Sequence, residues 1–236
     1  MKRIITVITL ACAVAAASSC TFIRINKDFM NASGTEHIIG SKDIVSRSFN
    51  VEQFTGIDTT VGADIDFKMS EGEPSVTVEA PDNIIDKLDI QVENGVLMVR
   101  LADDRYSIRN GNIRIKASAA TLESLDIKGA GDFDCLDLDC AAMDVNISGA
   151  GDVTFNDLRC ESDVNVTVHG AGDIDLDGLS CRKVSVEIMG AGDVRLTGKA
   201  ESASLSIKGA GDIDARELDC DDISSSVSGM GSIRRK

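Results

Sequence analysis

The tetrapeptide Gly-Ala-Gly-Asp occurs five times in this chain, at 129–132, 149–152, 170–173, 190–193 and 209–212. A degraded copy, Gly-Met-Gly-Ser, follows at 229–232, so the spacings run 20, 21, 20, 19 and 20 residues. So short a unit cannot bury its own apolar face, and the units must stack on one another. Apolar residues keep register with the motif. Four residues after its first glycine stand Phe133, Val153, Ile174, Val194, Ile213 and Ile233. Two residues before it stand Ile127, Ile147, Val168, Ile188, Ile207 and Val227, and four before it Leu125, Val145, Val166, Val186 and Leu205. Runs such as Val164-Asn165-Val166-Thr167-Val168 alternate with period two, which predicts strands with one buried face. The tetrapeptide is expected to be a corner, its glycines admitting positive φ and its Asp accepting nearby backbone N–H groups.

These features predict an all-β fold: a right-handed single-stranded parallel β-helix (β-solenoid), with ~20-residue rungs marked by Gly-Ala-Gly-Asp corners and strands ~4.8 Å apart. A left-handed hexapeptide solenoid would need a six-residue apolar beat, and propeller blades need about 40 residues per unit. Upstream, Gly62-Ala63-Asp64-Ile65-Asp66-Phe67 reads as a worn copy of the unit. Glu73-Pro74 opens a strand over 75–79 with Val76 and Val78 on one face. Asn94-Gly95 between two alternating runs predicts a hairpin with a type I′ turn, and Asn110-Gly111 precedes another strand at Ile113. The expected β-helix domain is 46–236, with irregular N-terminal rungs and a hairpin over 46–128 and regular repeats over 129–236.

The N-terminus gives an address. Met1-Lys2-Arg3 is a short basic segment, and 4–17 is an apolar run without charge. That is too short for a transmembrane helix, which needs ~20 residues, and suits a signal peptide over 1–19. It ends in Ala17-Ser18-Ser19-Cys20, which resembles the lipobox of bacterial lipoproteins and marks Cys20 as the lipidation site. Several acyl chains on one residue anchor a protein stably where one does not. Residues 20–45 follow as lipidated Cys and tether.

Composition narrows the partners. With 24 basic and 39 acidic side chains the net charge is -15, which argues against nucleic acid. Tryptophan is absent and Tyr plus Phe number 8, so stacking platforms for sugars or bases are scarce. Cys140, Cys160, Cys181 and Cys220 each lie eleven residues after the first glycine of their unit. Stacking therefore aligns them in a column, with Ala200 near the same place in the short fourth unit and Cys135 apart. The Ala substitute favours a ladder of small apolar fillers, although adjacent rungs in an oxidising compartment also permit disulfides. Asp132, Asp152, Asp173, Asp193 and Asp212 form a second expected column, read as backbone acceptors rather than a calcium site. No Cys/His spacing supports a metal, no cofactor is expected, and His37 and His169 stand alone. Carboxylate pairs such as Asp134 and Asp137 carry little weight in so acidic a chain, and no catalytic residue is assigned.

The lipobox, the segments Val-Gly-Ala-Asp and Asn-Gly-Val-Leu, and the Gly-Ala-Gly-Asp units running to the C-terminus resemble the "putative auto-transporter adhesin, head GIN domain" family of Bacteroidetes. The resemblance covers about 45–236 and implies a right-handed parallel β-helix in a cell-envelope protein, without catalytic or ligand residues to transfer. The expected function is therefore a non-catalytic, adhesin-like outer-membrane lipoprotein, facing the periplasm or the surface. Its partners would be the membrane through the lipid anchor, a glycan or protein ligand, or further copies of itself. A periplasmic structural protein is the alternative, and a polysaccharide-acting enzyme the third reading.

Overall fold

The computed structural model describes residues 35–236. The expected signal peptide over 1–19 and the expected lipidation site Cys20 lie outside them. The fold is all-β, as the alternation required. Nineteen strands join in one sheet and two more, Glu36–Ile39 and Tyr106–Arg109, form a separate parallel pair. From Ser124 onward, pairing is parallel and follows the repeat. Ser124–Ile127 pairs with Met143–Ile147, that strand with Asp163–Val168, and so on to Asp222–Val227.

The expectation of a purely parallel, single-stranded β-helix is corrected. The sheet is mixed, and it winds around its core as a nearly closed barrel. Ile44–Phe49 runs antiparallel to Ser75–Pro81, which is itself antiparallel to Ile113–Ala119. Leu88–Glu93 runs antiparallel to Val96–Leu101. For this last pair the physical cause is local. Asn94 and Gly95 both adopt positive φ (53° and 80°), as a type I′ turn demands, and a two-residue turn must reverse the chain. Residues upstream of 124 therefore cannot continue a stack in which every strand points the same way. A short helix, Asp82–Ile85, follows the strand that ends at Pro81 and buries Ile84 and Ile85.

One continuous core fills the interior. The inward positions named from the repeat are buried in each unit from Phe133 to Ile213, and the core continues upstream through Ile57, Ile65, Val76, Val78, Leu97 and Val99. The worn copy pairs as expected, Ile65 with Phe133 and Asp66 with Asp134.

The corners are explained by proximity, not by φ. Positive-φ glycines among the described residues are Gly95, Gly178 and Gly198, none of them in the tetrapeptide. Instead the units pass so close that a Cβ on Gly149 would fall well inside 3.0 Å of the Gly129 carbonyl oxygen, and one on Gly170 likewise against Gly149. The same carbonyls bind the next unit. Ala150 N–H donates to Gly129 O at 3.0 Å, and Ala171 N–H to Gly149 O at 3.0 Å.

Candidate functional site

The aspartate column is fully built. Asp152 N–H donates to Asp132 Oδ1 at 3.1 Å, Asp173 to Asp152 at 2.9 Å, Asp193 to Asp173 at 2.8 Å and Asp212 to Asp193 at 2.8 Å. Ser232, which replaces the last Asp, donates both its N–H and its hydroxyl to Asp212 Oδ1. Each carboxylate thus caps the amide of the unit above rather than its own corner. Its main-chain carbonyl accepts from the unit below, as in Val153 N–H to Asp173 O at 2.9 Å. Asp173→Ala removes an acceptor and is expected to lower stability by about 1–2 kcal/mol. Asp173→Asn keeps the oxygen and should lose less, and urea midpoints of the two variants check the difference.

Acidic groups crowd the neighbouring outward row. Desolvation first, then the charges of Asp66, Asp132 and Asp64, push the Asp134 carboxyl above its ordinary value. A carboxylate with a folded pKa above its unfolded one lowers stability once pH exceeds both values, and is neutral to stability below both. Asp134→Asn is therefore expected to stabilise the fold at pH 7, with the gain vanishing below the unfolded carboxylate range. Thermal melts across pH test this. Elsewhere arginines offset the charge: Arg216 holds Asp214 down at about 2 and Arg105 holds Asp103 at about 2.

A different face has the geometry of a contact surface. Two outward columns run along the parallel strands, Ser124, Asp144, Asn165, Ser185, Ser204 and Ser224 beside Asp126, Asn146, Thr167, Glu187, Ser206 and Ser226. They are exposed or half-buried, and most are short, so little rotamer freedom is lost when they are ordered. Asn165 Nδ2 donates to Asp144 Oδ1 at 2.8 Å, and Lys208 pairs with Glu187. Desolvation outweighs the nearby Lys128 and raises the Asp126 carboxyl. Asp58, the next member below Asp126, pairs with Lys128 through Oδ2 at 2.5 Å while its Oδ1 is buried without a partner among the described residues.

The other residues singled out by sequence are placed as follows. His37 and His169 are exposed, as are Asp134 and Asp137. Among the described residues no group of three or more His, Cys, Asp or Glu is placed to hold a metal. Cys140 and Cys160 are register partners, as are Cys181 and Ala200. Cys135 belongs to another row, between Phe67 and Phe155. Burial pushes the Cys135 thiol up to about 12. No helix of the described residues is long and apolar enough to cross a membrane.

The described residues thus form an all-β scaffold of stacked units whose outward rows are mostly short and polar. The chain belongs to the "putative auto-transporter adhesin, head GIN domain" family, whose model matches residues 53–235. It is similar to the crystal structure of a putative adhesin from Bacteroides fragilis, at 25% identity and TM-score 0.70, over 84% of this chain and 100% of that one. A putative lipid binding protein from Parabacteroides distasonis shares the fold at 20% identity and TM-score 0.71, over 85% of this chain and 100% of that one. A putative adhesin from the same species also shares it, at 17% identity and TM-score 0.58, over 85% of this chain and 100% of that one. No curated protein matches the chain.

Proposed function

We propose that the chain is a surface-facing outer-membrane lipoprotein, anchored through Cys20, whose polar face binds a hydroxyl-rich polysaccharide without catalysis. The observation that carries the reading is the pair of outward columns from Ser124 to Ser226, in which hydrogen-bonding side chains repeat at the inter-strand spacing of ~4.8 Å on a sheet held by its own backbone. A rigid array of short donors and acceptors loses little entropy on binding an extended polymer, so many weak contacts can sum. Family membership supports an adhesin-like role at the cell envelope.

A double substitution and its control test the face, and a single substitution tests the anchor. Ser185→Arg with Ser204→Arg is expected to weaken retention on immobilised polysaccharides at least about tenfold, while Thr154→Arg, on another face, leaves it unchanged. Equal retention by all three proteins would remove the face from the account. Cys20→Ala is expected to move the chain from the membrane pellet to the soluble fraction, and continued sedimentation with membranes would contradict the anchor.

An edge favours self-association as a second reading. Among the described residues, Asp222–Val227 and Ile233–Arg235 each pair on one side only, and Val227 and Met230 are exposed beside them. Arg235 donates to the Ile223 carbonyl at 3.0 Å, which partly blunts that edge. Light scattering of the soluble chain across concentration distinguishes a monomer from an edge-paired oligomer.

A further inference from the structure

We propose that Cys140 and Cys160 are a dithiol pair that closes an inter-unit disulfide when presented with a disulfide oxidant. The two residues are direct register partners on adjacent parallel strands, Leu138–Cys140 and Leu158–Cys160. Neighbouring strands lie about 4.8 Å apart, inside the Cα separation of about 4.4–6.8 Å that a disulfide needs. Their Sγ atoms are 2.6 Å apart, so closure to a bond of about 2.05 Å requires a movement of only about 0.5 Å. Among the described residues this is the one sulfur–sulfur contact. Cys181 follows Cys160 in the ladder, where Arg159 pairs with Ser180, and meets Ala200 on its other side, while Cys135 lies between phenylalanines.

The pair is reachable. Cys140 and Cys160 are 7% and 8% exposed, and both line a groove of about 490 Å³ with Glu123, Asp139, Arg159 and Glu161 on its walls. Arg159 is held by Asp139 and Asp157. Either thiol can donate across the contact; with Cys160 as the donor, the bond lowers the Cys140 thiol and raises that of Cys160, which makes Cys140 the attacking thiolate. In the reaction the Cys140 thiolate attacks one sulfur of the oxidant's disulfide and expels the other as a thiolate. Cys160 then loses its proton and attacks Cys140 Sγ, expelling the second thiolate. Two S–H bonds are broken and one S–S bond forms. The oxidant takes up two electrons and, with the two protons, becomes two thiols.

The setting of this chemistry rests on the export reading, because disulfides persist outside the reducing cytosol. The full chain, purified in detergent under reductant and then exposed to oxidised glutathione, is expected to become two hydrogens lighter. Peptide mapping should link 140 to 160, and Cys140→Ser or Cys160→Ser should abolish the link while Cys181→Ser retains it. Reduction should lower Tm by about 5–10 °C. Stable glutathione adducts, or a link elsewhere with 140 and 160 still alkylatable, would overturn the proposal. A second arm alkylates intact cells before lysis. A pair that links in vitro but is reduced in those cells counts against export, not against the pair.

Discussion

Gly149→Ala is expected to destabilise the fold by at least about 3 kcal/mol, enough to unfold a marginal domain. The reason is that the clash is with backbone. A Cβ at 149 meets the Gly129 carbonyl oxygen, then Gly129 C at 2.8 Å and Lys128 C at 3.0 Å. A flexible side chain could swing aside, but Gly129 O is also the acceptor for Ala150 N–H. Moving it breaks the bond that joins the two units. The strands on either side of the corner are locked by their own ladders, Ile127 against Ile147 and Phe133 against Val153, so the strain has nowhere to spread. Ala150→Ser, at the exposed alanine of the same tetrapeptide, is the control and should stay within about 0.5 kcal/mol. Urea unfolding followed by circular dichroism measures both. A wild-type midpoint for Gly149→Ala would show that the units do not approach this closely.

Phe133→Ala is expected to lower stability by about 3–5 kcal/mol, or roughly 10 °C or more in Tm for a domain of this size. Phe133 is completely buried, with its ring centroid 5.3 Å from that of Phe155 and 6.4 Å from that of Phe67. These three rings join the irregular N-terminal segment to the first regular units, since Phe67 lies on the strand that pairs with 133–135. Truncation leaves a cavity whose walls are strands fixed by hydrogen bonds on both sides, so little collapse is available. Phe133→Leu fills most of that space and should lose less than half as much. Scanning calorimetry of the two variants gives the comparison.

How far the sequence could be read depends on how local each cause is. The tetrapeptide spacing and the flanking alternation locate the strands from Ser124 to the end and the core positions as far as Ile213, because each unit repeats the same short-range instruction; in the last unit Val227 is exposed and Ile233 only partly buried. The hairpin at Asn94-Gly95 was equally legible, since its turn chemistry lies in two residues. The antiparallel ladder of Ile44–Phe49 with Ser75–Pro81 was not. Its partners are about thirty residues apart and no tight turn joins them, so only tertiary packing fixes the direction. That is why an all-parallel reading failed in the N-terminal half. One unit by itself points only to the φ freedom of its glycines, whereas their role is to let two backbones touch, a property of neighbouring units. The cysteine column was visible as a spacing. The facing of Cys140 and Cys160 follows from that spacing, whereas Cys181 meets Ala200 across an irregular register between Leu176 and Leu179, which no spacing rule conveys. The outward polar rows are legible as a repeated pattern, since most alternate residues of the strand runs from Ser124 to Ser226 are Ser, Asn, Thr or Asp.

Surface display is the claim on which the binding function depends, and protease treatment of intact cells tests it directly. With an antibody to the repeat region, and a periplasmic protein as control, the expected result is that protease destroys or shortens the chain on intact cells while the control survives. Full protection until lysis, with the control equally protected, would place the polar face on the periplasmic side and contradict the adhesin account.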